Sequence, residues 1–287
     1  MDFRSDLALE QREALAASGS AGVQTNEKTV DGVHVSTVRI LDDRGAHAIG
    51  KPVGTYITLE TGSTFKPSGT LETLQSLLTE AILRMLPQTG PVLVVGLGND
   101  AITPDALGPK TVSHIFATRH IQKELAVSLG LGTLRPVAAV APGVLGRTGV
   151  ETAELLRALT RHLSLAALIV IDALAARQLT RVGSTVQLTD SGISPGSGVG
   201  NRRAEISVRT LGVPVIAVGV PTVVDADTMA RDLTGLPADA PEAARRMMVT
   251  PKEIDLLIDR AAALLGDAIN RALQPALSLQ ELRQLTQ

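Results

Sequence analysis

The chain of 287 residues has no cysteine and no tryptophan, one tyrosine and three phenylalanines. Without cysteine there is no disulfide, no thiol nucleophile and no cysteine-ligated zinc or iron–sulfur cluster, a composition that suits a reducing cytoplasm. An excess of either charge is also missing: 27 Lys and Arg stand against 29 Asp and Glu, a formal net charge of −2. A nucleic-acid binder needs a basic face, and one that holds single strands also wants aromatic platforms, so direct nucleic-acid binding is disfavoured. No run approaches the ~20 apolar residues of a membrane span, and the polar start Met1-Asp2-Phe3-Arg4-Ser5-Asp6 is unlike a signal peptide. The expectation is a protein with no membrane partner. Hydrophobic residues at 44% and charged residues at 20% give ample material for a core and rule out a mainly disordered chain.

What is present reads as one α/β domain over residues 1–287. A short helix is expected from Ser5 to Ala16. Two strands follow, at Val33 to Ile40 and Thr55 to Leu59, where β-branched residues alternate. Leucines and isoleucines at 71, 74, 77, 78, 82 and 86 have the spacing of an amphipathic helix that Pro87 stops. From Pro91 the pattern changes to short apolar runs, Val92 to Val95, Leu134 to Val140, Leu168 to Ile171 and Val215 to Val218. Such runs suit strands buried on both faces of a parallel sheet, with helices in the connections. Those helices are predicted at Gly108 to Ser128 and Gly149 to His162. Thr185 to Leu188 adds a strand, and Pro251 to Leu273 forms a closing helix capped at Thr250. Gly235 to Ala244, rich in Ala and Pro, reads as a mobile excursion.

In an open α/β sheet, ligands and catalytic groups gather beyond the carboxyl ends of the parallel strands. Two aspartates stand out there. Asp172 follows the four apolar residues Leu168 to Ile171, where an ionised carboxylate is poorly solvated unless it faces a cleft. Asp105 lies in the loop after Val92 to Val95. If those strands are neighbours, the carboxylates converge. Two carboxyl groups sharing one site cannot both ionise easily, so one keeps a proton, and the pair can deprotonate water while protonating a leaving amine. At this point Asp105 reads equally well as a helix cap, whereas for Asp172 a hydrogen-bonded residue holding a loop is the weaker of the two readings.

Two glycine-rich loops flank these positions. Gly96-Leu97-Gly98-Asn99-Asp100-Ala101 matches the loose dinucleotide fingerprint, but Pro104 and Asp105 interrupt the helix start and no acid lies about 20 residues on. Its glycines read as a tight turn that brings backbone close to the cleft. Asp190 to Asn201 lacks the Gly-Lys-Ser/Thr ending of a P-loop; it reads as a substrate-binding loop or as a surface turn. The candidate substrate-binding positions are therefore Gly96, Gly98 and Asn99 in the first loop and Ser191, Gly192, Gly196 and Gly198 in the second. The five histidines show no metal-ligand pair at helical spacing, so no metal and no cofactor is expected. Asp225 and Asp227 read as caps of the next segment before they read as residues that reach the crevice. No G-x-S-x-G elbow supports serine catalysis.

These segments together resemble the germination protease family of spore-forming bacteria. The resemblance rests on Ser5-Asp6-Leu7-Ala8-Leu9-Glu10, Ile49-Gly50-Lys51-Pro52-Val53-Gly54, Val94-Val95-Gly96-Leu97-Gly98-Asn99, Thr103-Pro104-Asp105-Ala106-Leu107-Gly108-Pro109-Lys110 and Ile171-Asp172-Ala173-Leu174-Ala175-Ala176-Arg177. It continues through Asp190-Ser191-Gly192, Gly200-Asn201, Pro221-Thr222-Val223-Val224-Asp225 and Met248-Val249-Thr250-Pro251-Lys252-Glu253. It implies an atypical aspartic endopeptidase of small acid-soluble spore proteins, with Asp105 and Asp172 as the catalytic pair. It also implies a homotetramer, made as a zymogen in the cytoplasm of the forespore and active in the spore core at germination. The fold implied is hydrogenase-maturation-protease-like: three layers, α/β/α, around a largely parallel twisted sheet, here with an N-terminal strand pair. Residues 1–4 correspond to a short propeptide remnant, and residues 226–247 to a shortened form of an insertion that is longer in the family. Two other classes fit the same residues: a metal-assisted protease of the maturation type, which binds nickel, and an oligomeric protein that holds peptides without cutting them.

Overall fold

The apolar runs that begin at Val92, Leu168 and Val215 become central strands, and the run that ends at Val140 becomes an edge strand. The structure, a computed structural model, describes residues 5–15, 21–63, 65, 68–197, 203–234 and 247–286. The elements of the first half are α1 (Ala8–Ala14), β1 (Val23–Val30), β2 (Val33–Ile40), α2 (Asp43–Ile49), β3 (Gly54–Glu60), α3 (Gly69–Met85), β4 (Val92–Gly96), α4 (Leu107–Ser113), α5 (Lys123–Ser128) and β5 (Val137–Val140). Those of the second half are α6 (Leu145–Thr148), α7 (Thr152–Leu163), β6 (Ala167–Ala176), β7 (Thr185–Thr189), α8 (Val208–Leu211), β8 (Val215–Asp225), α9 (Ala226–Thr234), β9 (Met248–Val249), α10 (Ile254–Leu273) and α11 (Leu279–Leu285). Short 3₁₀ turns occupy Thr103–Asp105 and Leu179–Arg181.

One sheet carries the strands in the order β1-β2-β3-β7-β8-β6-β4-β5, with β9 beside β8. Strands β8, β6, β4 and β5 are parallel, as the continuous apolar runs demand. β1, β2, β3 and β7 extend them as an antiparallel wing. Residue parity decides which layer each side chain enters. Val92, Val94, Ile169 and Ile171 pack beneath α3, α4 and α10 through Leu78, Leu107 and Ile258. Leu93, Val95, Leu168 and Val170 face Leu156 of α7 and Leu211 of α8 on the other side. The result is the expected three-layer α/β/α arrangement.

Several boundaries differ from the sequence reading. The N-terminal strand pair gains a third member: β1, Val-Gln-Thr-Asn-Glu-Lys-Thr-Val, is mostly exposed and joins by backbone pairing with β2, so its polar side chains hide it. The helix predicted from Ser5 shortens to α1 because Ser5 to Leu7 run extended, and Asp6 N–H donates to Ala175 O at 2.9 Å. The helix predicted over 108–128 breaks into α4 and α5. Between them the Thr118 and Arg119 amides turn to the Val137 carbonyl, each at 2.9 Å, and seal the end of β5. That strand begins at Val137 and not at Leu134, where Arg135 N–H instead meets Gln274 Oε1 at 3.0 Å. Thr250 does not cap α10; its hydroxyl donates to Thr222 O at 2.9 Å and the helix starts at Ile254. Residues 1–4, Gly198 and the stretch Gly235 to Ala244 lie outside the described residues. Of 226–247, residues 226–234 form α9.

Candidate active site

The chain leaves β4 through α4 on one face of the sheet and enters β6 from α7 on the other, with β5 and β6 on opposite sides of β4. Such a reversal opens a crevice beyond the strand ends. Asp105 comes from the loop after β4 and Asp172 from β6, so the condition set by the sequence, that the two strands be neighbours, is met.

Asp172 sits differently from expectation. It is within β6, not at its end, because β8 continues beside β6 as far as the Ala176 and Val224 pair. What ends there is β4: its last pair is Gly96 with Ile171, one residue before the aspartate. Asp172 therefore points, with Leu168, Val170 and Leu174, to the face of α7, at a place where one neighbour has stopped. Its side is covered all the same, with 7% of the residue exposed. Burial first, then the charges of Asp6 and Asp105, push its carboxyl well above the usual aspartate range, against the opposing N–H of Ala173.

Asp105 closes its 3₁₀ turn and does not cap α4, whose cap residue is Ala106 without a side-chain bond. Its Oδ2 instead accepts from the Asn99 N–H at 2.8 Å. Burial raises its carboxyl above the usual value, and the Asn99 bond works the other way. The glycine turn makes this possible. Gly98 has φ +113°, and a Cβ there would lie 2.0 Å from the Asp105 carbonyl oxygen. A Cβ on Gly96 would lie 2.1 Å from the Gly108 carbonyl oxygen, so strand end and helix start touch backbone to backbone.

Two clefts meet at Asp172. One, of about 580 Å³, holds Asp105, Gly98, Asn99 and the apolar Leu97, Ile102 and Val144. The other, of about 470 Å³, holds Ser191, Gly192, Lys51, Tyr56 and Arg209. Asp6 and Gly196 border both. Of the candidate binding positions, Gly98, Asn99, Ser191, Gly192 and Gly196 thus line the crevice, whereas Gly96 lies behind it as a packing contact. The Asn99 side chain accepts from Ala101 N–H at 3.1 Å and Arg147 Nη1 at 3.2 Å. Ser191 donates to the Tyr56 hydroxyl at 2.9 Å, and that hydroxyl donates to Pro52 O at 2.8 Å. Burial, ahead of the opposing Ser191 bond, pushes the Tyr56 phenol up to about 12. Asp225 caps α9, accepting from the Thr228 N–H at 3.1 Å. Asp227 pairs with Arg231 at 2.7 Å.

Among the residues bordering the crevice that the sequence reading missed are Asp6 and Thr222. Asp6 is 166 positions from Asp172 in the chain, and its place in the segment Ser5 to Glu10 carried the only signal. Thr222 is the extra residue of a bulge, since Leu174 pairs with Pro221 and Ala175 with Val223. Its hydroxyl is buried without a hydrogen-bond partner among the described residues, at the wall of the Asp105 cleft. Among the described residues no three His, Cys, Asp or Glu side chains form a metal-holding group, and no helix is long and apolar enough to cross a membrane.

The family model for germination protease matches residues 4–235, a span that includes both aspartates. The chain belongs to the germination protease family. It is 42% identical to a germination protease of Caldanaerobacter subterraneus subsp. tengcongensis, over 99% of this chain and 98% of that one. It is 41% identical to one from Clostridium acetobutylicum over 97% of each, and 44% identical to one from Priestia megaterium over 80% of this chain and 65% of the relative. A solved [NiFe] hydrogenase maturation protease, HycI from Thermococcus kodakarensis, overlays on 67% of this chain and 98% of its own, with TM-score 0.40 and 15% identity. Membership of the germination protease family makes the chain a protease, a hydrolase of peptide bonds.

Proposed function

We propose that the chain is an endopeptidase of small acid-soluble spore proteins, acting in the spore core during germination, with Asp105 and Asp172 as its general base and general acid. The observation that carries this reading is the meeting of two carboxyl groups in one cleft, both raised, the more buried one the more strongly. One proton is then shared by the pair and rests on Asp172. Asp105 takes a proton from water as the water oxygen bonds to the substrate carbonyl carbon. Asp172 gives its proton to the amide nitrogen as the C–N bond breaks, and the proton held by Asp105 returns to Asp172 to restore the pair. Gly196, Gly192 and the Gly98–Asn99 turn line the groove in which an extended chain would lie. Substrates disordered when free thread such a groove without an unfolding cost.

The same reading includes a homotetramer, a form consistent with the apolar side chains that α5 and the residue after it leave exposed, Leu125, Val127 and Leu129. It also includes synthesis as a zymogen and no resident cofactor.

The test is a time course of small acid-soluble spore protein with wild type, Asp105→Asn and Asp172→Asn, each checked for folding, with a chelator in parallel. Cleavage at defined bonds by wild type, none by the folded variants and no effect of chelator is expected. Cleavage by a folded variant at the wild-type rate overturns the aspartate pair, and chelator-sensitive cleavage moves the mechanism to a metal.

A further inference from the structure

The N-terminal segment is built into the active-site wall. β4 leaves the side of β6 at Ile171, and four residues on, Asp6 takes the vacated edge. Asp6 N–H donates to Ala175 O at 2.9 Å, and Ala175 N–H returns a bond to Asp6 Oδ2 at 2.9 Å. The Ser197 hydroxyl donates to Asp6 Oδ1 at 2.8 Å. Each carboxylate oxygen thus has a donor. Gln187 holds the backbone on both sides, its Nε2 donating to Asp6 O at 3.1 Å and its Oε1 accepting from Ala8 N–H at 2.7 Å. Leu7 is fully buried against Leu174 and Ala176. So many fixings for one edge segment put a carboxylate at a set place, on the border of both clefts that Asp172 also lines.

We propose that Asp6 is a positioning residue of the aspartate pair: the N-terminal segment lays its carboxylate in the crevice that Asp172 lines and thereby strengthens the hold of Asp172 on the shared proton. The proposal rests on the aspartate-pair protease reading above. Burial already favours the proton on Asp172, and a third negative charge on that side strengthens the preference. Charge from Asp6, ahead of that from Asp105, adds to burial in keeping Asp172 neutral. The other charged or titratable groups that border the crevice are Asp105, Glu151 and Arg203 on one side. On the other are Lys51, Tyr56 and Arg209, the last paired to Glu205.

The pH dependence of kcat/KM on small acid-soluble spore protein separates this role from a merely structural one. Loss of the Asp172 proton sets the alkaline limb. Removing the Asp6 charge eases that loss, so in Asp6→Asn the limb moves to lower pH, and the ratio of the rate above the optimum to the rate at it falls. Asp6→Glu, which keeps the charge, holds the limb closer to wild type. Ser197→Ala removes the tether of one Asp6 oxygen and lets the carboxylate swing away from Asp172, which moves the limb in the same direction by less; it decides the question if Asp6→Asn does not fold. Superimposable profiles for wild type and the folded Asp6→Asn, or for wild type and Ser197→Ala where only the latter folds, overturn the proposal. Asp172→Asn runs beside them: if it cuts normally, the aspartate-pair reading itself has failed, and that failure is distinct from a failure of Asp6.

Discussion

Gly98 and Asp105 are in contact through a missing side chain: the carbonyl oxygen of Asp105 occupies the space a Cβ on residue 98 would need, 2.0 Å away. The adjacent Asn99 N–H then reaches the Asp105 carboxylate at 2.8 Å. A backbone with φ +113° is also one that L side chains rarely adopt.

Gly98→Ala is therefore expected to push the 3₁₀ turn away from the crevice. The strain costs on the order of 1–3 kcal/mol of stability. A displacement of Asp105 by about an ångström lowers kcat/KM by roughly 100-fold. Thermal melts together with cleavage assays check both, and an alanine variant with wild-type kinetics would show that Asp105 tolerates a looser seat.

Asp172→Asn separates stability from activity. A carboxyl raised by burial and by the charges of Asp6 and Asp105 contributes stability that is fully present below the unfolded value of 3.8 and is lost as pH rises through its folded value. Asparagine has no charge to bury, so the variant gains on wild type as pH climbs from acid to neutral. Expected are a Tm above wild type at pH 7, a difference that shrinks towards pH 3, and a loss of activity on the order of 100-fold or more. Equal melting temperatures at pH 7 would contradict the buried-charge account.

Arg181 ties the N-terminal segment to the body. Its guanidinium holds Glu13 through two bonds of 2.8 and 2.7 Å, Glu60 at 2.8 Å and the buried Glu10 at 3.4 Å. Burial alone would weaken its charge, but Glu13 and Glu60 outweigh that and raise its pKa above the usual. Glu10 in turn accepts from the Arg177 and Gln178 amides at 2.6 and 2.9 Å. Arg181→Met strands a buried carboxylate and is expected to cost about 3–5 kcal/mol in denaturant unfolding, part of which Glu10→Gln in the same chain restores. A double variant no more stable than the single one would place the loss elsewhere.

The local sequence made the central strands legible and singled out both aspartates as candidates. Unbroken apolar runs such as Leu168 to Ile171 have nowhere to go but the middle of a sheet covered on two sides, and a carboxylate placed at the end of such a run has to meet a cleft. The 3.6-residue spacing of α3 and the glycines between β4 and α4 were equally plain, because periodicity and the lack of a Cβ are properties of the residues themselves. Other features depended on partners distant in the chain. β1 has no apolar face and exists through its pairing with β2; the helix predicted from Gly108 breaks because Thr118 finds the end of β5; and β6 runs past Asp172 because β8 accompanies it. Asp6 meets Ala175 across 169 residues of chain. Residue chemistry by itself singled out two acids that follow apolar runs. Only the tertiary structure decided that a third would stand beside them, because a charge acts through space on whatever the fold brings near and leaves no periodicity in the chain to announce it.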